Sequence, residues 1–173
     1  MVRDEPAIAE IWTWLGEIPD PEIPAISILD LGIVRDVSWS DDEGERALHV
    51  AITPTYSGCP AIRAIEREIV RLLGTRGIAR VALDVRLAPA WTTDWLSIAG
   101  REKLRDYGIS PPRARAIDPN APIDLTSFVD ERAACQRCGS SAVELVSRFG
   151  STPCKALYRC TACREPFDHF KAH

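Results

Sequence analysis

The stretch CQRCGSSAVELVSRFGSTPCKALYRCTAC, residues 135–163, contains two Cys-x-x-Cys pairs. The first pair is Cys135 and Cys138, and the second is Cys160 and Cys163. Each pair predicts a tight turn that points both sulfurs the same way, and two such turns complete a tetrahedral site for a borderline-soft cation. The spacing is typical of a zinc ribbon, so we predict one four-thiolate site in which zinc is the structural ion.

Two other uses of these thiols are open. Four thiolates also suit iron or an iron–sulfur cluster. Two disulfides are the third alternative, which a reducing cytosol disfavours. A tail of this length, residues 131–173, has too little apolar core to fold alone, so metal binding would supply folding free energy on the order of 10 kcal/mol. Because closed tetrahedral sites are usually structural, the ribbon by itself indicates no chemistry.

The composition of the whole chain is that of a globular protein. It has 173 residues, of which 46% are hydrophobic and 27% charged. No apolar run reaches membrane-spanning length. The start, MVRDEPAIAE, lacks the basic and apolar segments of a secretory signal. We therefore expect a cytoplasmic protein that does not enter a membrane.

Charge is distributed unevenly along the chain. Residues 1–130 carry 14 basic and 21 acidic side chains, whereas residues 131–173 carry 7 basic and 4 acidic ones. Neither part has the dense basic stripe with which nucleic-acid-binding proteins neutralise phosphates. We therefore do not expect a nucleic-acid partner, while the mildly basic tail could dock on an acidic protein.

The residues before the ribbon alternate between helical and strand patterns. They predict an α+β domain, residues 1–108, with helices packed on a small mixed or antiparallel sheet. A proline-rich linker, residues 109–130, would then lead to the zinc ribbon, residues 131–173. The predicted elements are a helix capped by Asp4 and ended by Gly16, a hairpin of strands 33–39 and 48–52, a helix from Pro60 past Leu72, a strand 81–87 and a helix 94–107.

Cys59 lies in the segment TPTYSGCPAI, where Pro60 suits the first turn of a helix. Backbone N–H groups and the helix dipole at that position would favour a thiolate. Such a thiolate could contact a metal or cluster or act as a nucleophile; alternatively, Cys59 is a helix cap packed under the loop. The sole histidine of residues 1–130, His49, is expected at the surface of a strand, so no catalytic dyad is evident.

Other candidate residues are less specific. Asp20, Glu22 and Asp30 cluster in the proline-rich segment IPDPEIPAISILDLG and could be ligands, a docking surface or turn-forming carboxylates. Trp91 and Trp95 flank Thr93 and Asp94, either of which could cap the next helix. Cys154 is either a small buried residue or an auxiliary thiol near the metal. His169 and His173 are expected to face solvent.

Taken together, these motifs resemble a known family. DPEIPAISILDLGIV, TPTYSGCPA and APAWTTDW, in that order, resemble the SufT-type domain of iron–sulfur cluster assembly proteins. With the C-terminal SRFGSTPCKALYRCTACREPFDHFK, the chain resembles the D-subunit family of phenylacetyl-CoA epoxidase, which belongs to phenylacetate catabolism.

The resemblance implies a non-catalytic accessory protein that helps to mature the metal centres of a multicomponent oxygenase. Its partners would be the iron–sulfur flavoprotein reductase or the di-iron subunit. Cys59 would contact iron or a cluster transiently, and the matching family signatures contribute further candidates for that contact. These candidates are Asp20, Glu22, Asp30 and Thr55. A stable structural or regulatory subunit of the oxygenase and, less favoured, a thiol enzyme that uses Cys59 are the alternatives.

Overall fold

A computed structural model of the chain describes residues 5–42, 44–112 and 133–171. The chain divides into two compact units, Met1–Trp91 and Thr92–His173. Most of the linker predicted at residues 109–130 lies outside the described residues, so the predicted division at residue 108 stays a prediction. None of the helices in the described ranges is long and apolar enough to cross a membrane.

The first unit is built on a mixed three-stranded sheet. Strands β1 (Val34–Asp42) and β2 (Glu45–Ile52) form an antiparallel hairpin. Helix α2 (Ile62–Thr75) then returns the chain to β3 (Val81–Val85), which pairs with β2 in parallel. The sheet order is β1-β2-β3. The parallel pair requires a crossover, which α2 supplies, and the predicted small mixed sheet is confirmed.

Alternate residues of the hairpin, Val37, Leu48 and Val50, are buried in the core of this unit. Val37 pairs with Val50, and Trp39 pairs with Leu48. The preceding helix, α1 (Ile8–Leu15), and helix α2 bury apolar side chains at the three- and four-residue spacing of an amphipathic helix. These buried residues are Ile11, Trp14 and Leu15 in α1 and Ile65, Ile69 and Leu73 in α2.

Several predicted boundaries in this unit differ from the structure. The hairpin strands, predicted at 33–39 and 48–52, extend over Val34–Asp42 and Glu45–Ile52. Helix α1 begins at Ile8, and its N-cap residue is Ala7, which provides no side-chain cap; the predicted cap, Asp4, lies outside the described residues. Helix α2 begins at Ile62, so Pro60 precedes the helix. Strand β3 ends at Val85 because its neighbour β2 ends at the paired residue, Ile52, which leaves Leu87 beyond the ladder.

The second unit contains the predicted ribbon. Strands β4 (Val143–Ser147), β5 (Lys155–Cys160) and β6 (Pro166–Phe170) form an antiparallel sheet in the order β4-β5-β6. Ser110 extends its edge: its N–H donates to Asp168 O at 2.9 Å, and its carbonyl accepts from the N–H of Phe170 at 2.9 Å. The predicted fold class, an α+β domain followed by a small β ribbon, is confirmed.

The helix predicted at residues 94–107 is two elements. A 3-10 turn covers Thr93–Trp95, and α3 covers Ile98–Asp106. Leu96 between them is extended, with ψ at 123°, which interrupts helical hydrogen bonding. The cap of α3 is therefore Ser97, whose hydroxyl accepts from the N–H of Gly100 at 2.8 Å, and not Thr93 or Asp94.

Candidate functional site

The proline-rich loop of the first unit is closed on itself by backbone hydrogen bonds. The N–H of Asp20 donates to Ile26 O at 2.8 Å, and that of Ile28 donates to Ile18 O at 3.0 Å. Inside this loop the buried Asp20 carboxylate accepts the N–H groups of Glu22 at 2.9 Å and Ile23 at 2.8 Å. The Asp20 carboxylate therefore shapes the turn by accepting these two hydrogen bonds.

Asp30 has a comparable structural role in the next turn. Its buried carboxylate accepts from both the N–H of Ser27, at 2.9 Å, and the Ser27 hydroxyl, at 3.0 Å. In return, the N–H of Asp30 donates to Ser27 Oγ at 3.0 Å. The observed contacts of the Asp30 carboxylate are thus those of a turn-forming residue. Its predicted contact with iron or a cluster stays a prediction.

Cys59 lies three residues before α2, in the loop that follows β2. The residue is half-buried, and its N–H donates to Tyr56 O at 3.1 Å. Thr55, four residues earlier, is buried. The TPTYSGCPA segment thus forms a compact turn that leaves the thiol partly accessible.

The pKa of Cys59 was expected to be lowered, and the structure shows the opposite. Burial raises the pKa of the thiol, and the negative charges of Glu22 and Asp20 raise it further. The N–H groups of Ala61 and Ile62 lower this pKa, as a helix N-terminus should, but they are outweighed. Cys59 is therefore a protonated thiol at neutral pH. The expectation of a favoured thiolate was wrong because the sequence pattern showed neither the burial of the sulfur, which is the largest cause of the raised pKa, nor the two carboxylates that act on it.

The structure therefore brings three of the predicted residues into one electrostatic neighbourhood: Cys59, Asp20 and Glu22. They do not form a ready-made metal cage. Among the described residues, only the cysteines of the ribbon form a group of three or more potential ligands whose atoms converge. The thiol of Cys59 thus lies within the influence of two negative charges. These charges would attract a cation, and a bound cation would displace the thiol proton.

The four ribbon cysteines do converge as predicted. Their Sγ atoms all lie within 4.8 Å of one another. Cys135 Sγ and Cys163 Sγ are 3.6 Å apart, as are Cys138 Sγ and Cys160 Sγ. A tetrahedron of thiolates around zinc, with Zn–S bonds of about 2.3 Å, has S–S edges of about 3.8 Å. The donor set and its spacing therefore fit zinc, and all four cysteines are free of disulfides.

The thiols of Cys160 and Cys163 differ in pKa. The N–H of Cys163 donates toward Cys160 Sγ at 3.5 Å and helps to lower the pKa of Cys160 to about 7. Although the Glu165 N–H lowers the pKa of Cys163, burial and the sulfurs of Cys138, Cys135 and Cys160 raise it to about 12. A divalent cation among the sulfurs would favour the thiolate form of every ligand.

A small apolar core supports this site. Ala156, Tyr158 and Phe167 are buried beneath the two cysteine turns, and the rings of Tyr158 and Phe167 stack with centroids 6.0 Å apart. Val143 and Leu145 of β4 pack against the same cluster. The ribbon core is therefore only a few side chains deep, which agrees with a fold that needs a metal.

Two other residues of the ribbon, His169 and Cys154, were also candidates; the third, His173, lies outside the described residues. His169 is buried, 1% exposed, and its ring packs edge-on against Tyr158 at 5.5 Å, so the expectation of a solvent-facing side chain was wrong. Cys154 is buried, with its sulfur 3.1 Å from Thr152 Oγ1. It does not belong to the four-sulfur group, and its role as an auxiliary thiol stays a prediction.

Trp91, Trp95 and His49 are all at least half-buried. Trp91 is buried and donates its indole N–H to Leu31 O at 2.8 Å. Trp95 is half-buried. His49, expected at the surface, is half-buried on the central strand β2. His49 was misassigned because the face of β2 that it shares with Ala47 and Ala51 is covered, and both alanines are buried.

Sequence reasoning missed an ion pair between a buried lysine and a half-buried aspartate. Lys155 is 5% exposed, and its Nζ lies 3.6 Å from Asp168 Oδ2, which also accepts from the Ser151 hydroxyl at 2.9 Å. These residues are far apart in sequence, and only the pairing of β5 with β6 brings them together. No local signal in the sequence could have revealed the pair.

Comparison with known proteins agrees with both halves of this description. Residues 8–89 match the model of the iron–sulfur cluster assembly protein family, and residues 119–171 match that of the PaaD zinc beta ribbon domain. A relative from Escherichia coli (strain K12) is 47% identical over 166 residues, which cover 96% of this chain and 93% of the relative. It is named as the D subunit of a "Putative 1,2-phenylacetyl-CoA epoxidase".

The chain belongs to the D-subunit family of phenylacetyl-CoA epoxidase. The resemblance inferred from the sequence motifs is thereby confirmed. Two solved structures are also similar. A domain of unknown function from Bacillus anthracis shares 26% identity, with 56% of this chain and 89% of that chain covered and a TM-score of 0.49. A conserved hypothetical protein from Thermotoga maritima shares 22% identity, with 59% and 97% covered and a TM-score of 0.48.

Proposed function

We propose that this member of the D-subunit family is a non-catalytic, cytoplasmic accessory protein of the phenylacetyl-CoA epoxidase system. It assists the maturation of the iron–sulfur or di-iron centres of that system. The observation that carries the proposal is the setting of Cys59, a half-exposed thiol under the influence of Glu22 and Asp20 in a domain that matches iron–sulfur cluster assembly proteins.

The chemistry of Cys59 favours transient contact over storage. One thiol with a raised pKa gives up its proton only when a cation arrives, because the cation stabilises the thiolate. A stable iron or cluster site needs several converging ligands, and none converge at Cys59 in the described residues. Iron or a cluster is therefore cargo at Cys59, whereas zinc in the ribbon is a structural ion.

The same observations disfavour a thiol enzyme. A nucleophilic cysteine needs a lowered pKa or an adjacent base. The pKa of Cys59 is raised, and the carboxylates that act on it oppose ionisation. We therefore do not propose catalysis by Cys59.

The experiment compares the metal centres of the epoxidase and its reductase in cells that carry either the intact chain or Cys59→Ser. Iron and acid-labile sulfide are measured in each purified component. We expect low occupancy in one client with the variant, while the amount and zinc content of the chain stay normal. Cys154→Ala, measured in parallel, tests the auxiliary thiol in the same assay.

A second candidate is a stable structural or regulatory subunit, which the name of the Escherichia coli relative favours because it describes a subunit. Such a subunit would remain bound to the active oxygenase in fixed stoichiometry. Full metal occupancy with Cys59→Ser, together with stoichiometric co-purification, would replace the maturation proposal by this one.

A further inference from the structure

The loop between β4 and β5 holds an aromatic side chain out in solvent. Phe149 is 67% exposed, and Val146, at the end of β4, is 55% exposed. The pairing register of β4 with β5 shifts between Leu145 and Ser147, so Val146 lies in a bulge. Val146 also shares the exposed face of β4 with Glu144, so a second apolar residue lies on the surface close to Phe149 in the chain.

The backbone around Phe149 is fixed from both sides. Ser147 Oγ donates to Phe149 O at 2.8 Å and lies 3.2 Å from the Phe149 N–H. The N–H of Gly150 donates to Lys155 O at 2.8 Å. A Cβ at position 150 would lie 2.5 Å from Asp168 Oδ1, so a larger residue would displace the carboxylate that pairs with Lys155. The ion pair of Lys155 and Asp168 thus fixes the base of the loop.

The side chain of Phe149 is oriented as well. Lys171 Nζ lies 4.8 Å from the centroid of the ring and 3.4 Å from Arg148 O. A cation over an aromatic face is attracted to it, so Lys171 favours one ring position. An exposed aromatic residue on a rigid loop loses little conformational entropy when it binds, which is the property of an interface anchor.

The charges beside Phe149 indicate the chemistry of what it contacts. Among the described ribbon residues, Glu144 pairs with Arg159, Glu165 pairs with Arg137, and Asp168 pairs with Lys155. Arg148 is exposed, and Lys171 adds a second cation at the ring. Phe149 is therefore flanked by positive charge, whose complement is carboxylate.

We propose that Val146, Arg148, Phe149 and Lys171 form a docking surface for a protein partner, in which Phe149 enters an apolar pocket bordered by Asp or Glu side chains. This inference deepens the proposed function, because the partner would be the client whose metal centres are matured. Two cations and one ring are too few for a nucleic-acid or membrane site, which depend on many charges or a broad apolar face.

The test measures binding of the zinc-loaded full chain to each purified component of the epoxidase by titration calorimetry. We expect Phe149→Ala to weaken binding to one component by at least about tenfold, as for an anchor residue. Arg148→Glu should weaken it and reduce its salt dependence. The matched control is Tyr107→Ala, which removes an aromatic side chain of the same unit that is 57% exposed. We expect the control to bind within about twofold of the parent chain.

Zinc content and near-ultraviolet circular dichroism establish that each variant is folded. Unchanged binding by Phe149→Ala would overturn the inference, as would an unaltered chain that binds no component, or binds only itself, anionic vesicles or RNA. If Phe149→Ala binds normally while Cys59→Ser lowers the iron content of the client, the docking surface fails and the maturation proposal stands. The reverse pattern retains the docking surface and rejects maturation.

Discussion

Gly139 and Arg164 hold the same position in the two cysteine turns, and both have left-handed backbone, with φ at 72° and 65°. Each follows the second cysteine of its pair. The N–H of Gly139 donates to Cys135 O at 2.8 Å, and that of Arg164 donates to Cys160 O at 2.9 Å. The two turns are thus built alike, although one uses glycine and the other a residue for which this conformation is costly.

Gly139→Ala should therefore destabilise the ribbon through the backbone alone. No atom lies within 4 Å of the added Cβ, so the cost is that of a left-handed non-glycine residue, about 1 kcal/mol. Thermal unfolding of the zinc-loaded chain measures it. The matched control is Gly74→Ala, which also adds a Cβ in open space but lies within helix α2. We expect Gly74→Ala to stabilise by up to about 1 kcal/mol; equal effects of the two substitutions would contradict the argument.

Removal of zinc should unfold the ribbon. The core beneath the cysteines is small, so the free energy of zinc binding is a large part of the stability of this region. A chelator should remove the contribution of the ribbon, whose Tyr158 and Phe167 rings stack, from the near-ultraviolet circular dichroism of the chain, and added zinc should restore it. Persistence of that signal in the metal-free chain would show that the ribbon folds without its ion.

Zinc affinity should rise with pH. Binding converts thiols to thiolates and so releases protons, and the pKa of Cys163, raised to about 12, makes that proton the hardest to displace. Acid should therefore release zinc, which a colorimetric zinc indicator detects as the pH falls. Zinc affinity that does not change with pH would indicate that the ligands are already ionised before the ion binds.

Sequence reasoning succeeded where the determining residues are close together in the chain. The spacing within Cys135–Cys138 and Cys160–Cys163 fixes each turn locally, so the four-sulfur group could be predicted. The pKa of Cys59 could not be predicted, because it depends first on burial of the sulfur in the fold and then on Glu22 and Asp20, which lie more than thirty residues earlier. His169 was misassigned for the same reason, since its burial against Tyr158 depends on the pairing of β5 with β6.

Substitution of Asp20 should destabilise the proline-rich loop, apart from any effect on contact with iron or a cluster. Asp20→Ala leaves the N–H groups of Glu22 and Ile23 without their acceptor. We expect the free energy of unfolding, measured in urea, to fall by about 1–3 kcal/mol. Asp20→Asn retains an acceptor oxygen and should lose less. If both variants lose equally, the charge rather than the hydrogen bonds maintains the turn.

Glu22→Gln should make Cys59 more reactive. Among the charges that raise the pKa of Cys59, Glu22 has the largest effect, so its neutralisation should lower that pKa and increase the thiolate fraction near neutral pH. Alkylation of Cys59 by iodoacetamide, followed by mass spectrometry as a function of pH, should become faster, with its midpoint at lower pH. Zinc-loaded protein is used so that the ribbon thiols remain protected.

The matched control for this prediction is Glu10→Gln, which removes an exposed carboxylate of α1 that does not contribute to the pKa of Cys59. A raised folded-state pKa also means that the group stabilises the fold below the ordinary thiol pKa of 9.0 and loses this contribution as the pH rises through the folded value. The alkaline loss of stability should therefore be smaller in Glu22→Gln than in the parent chain. If Glu22→Gln and Glu10→Gln react at the same rate, Glu22 does not control the thiol, and a cation at Cys59 would have to be attracted by other groups.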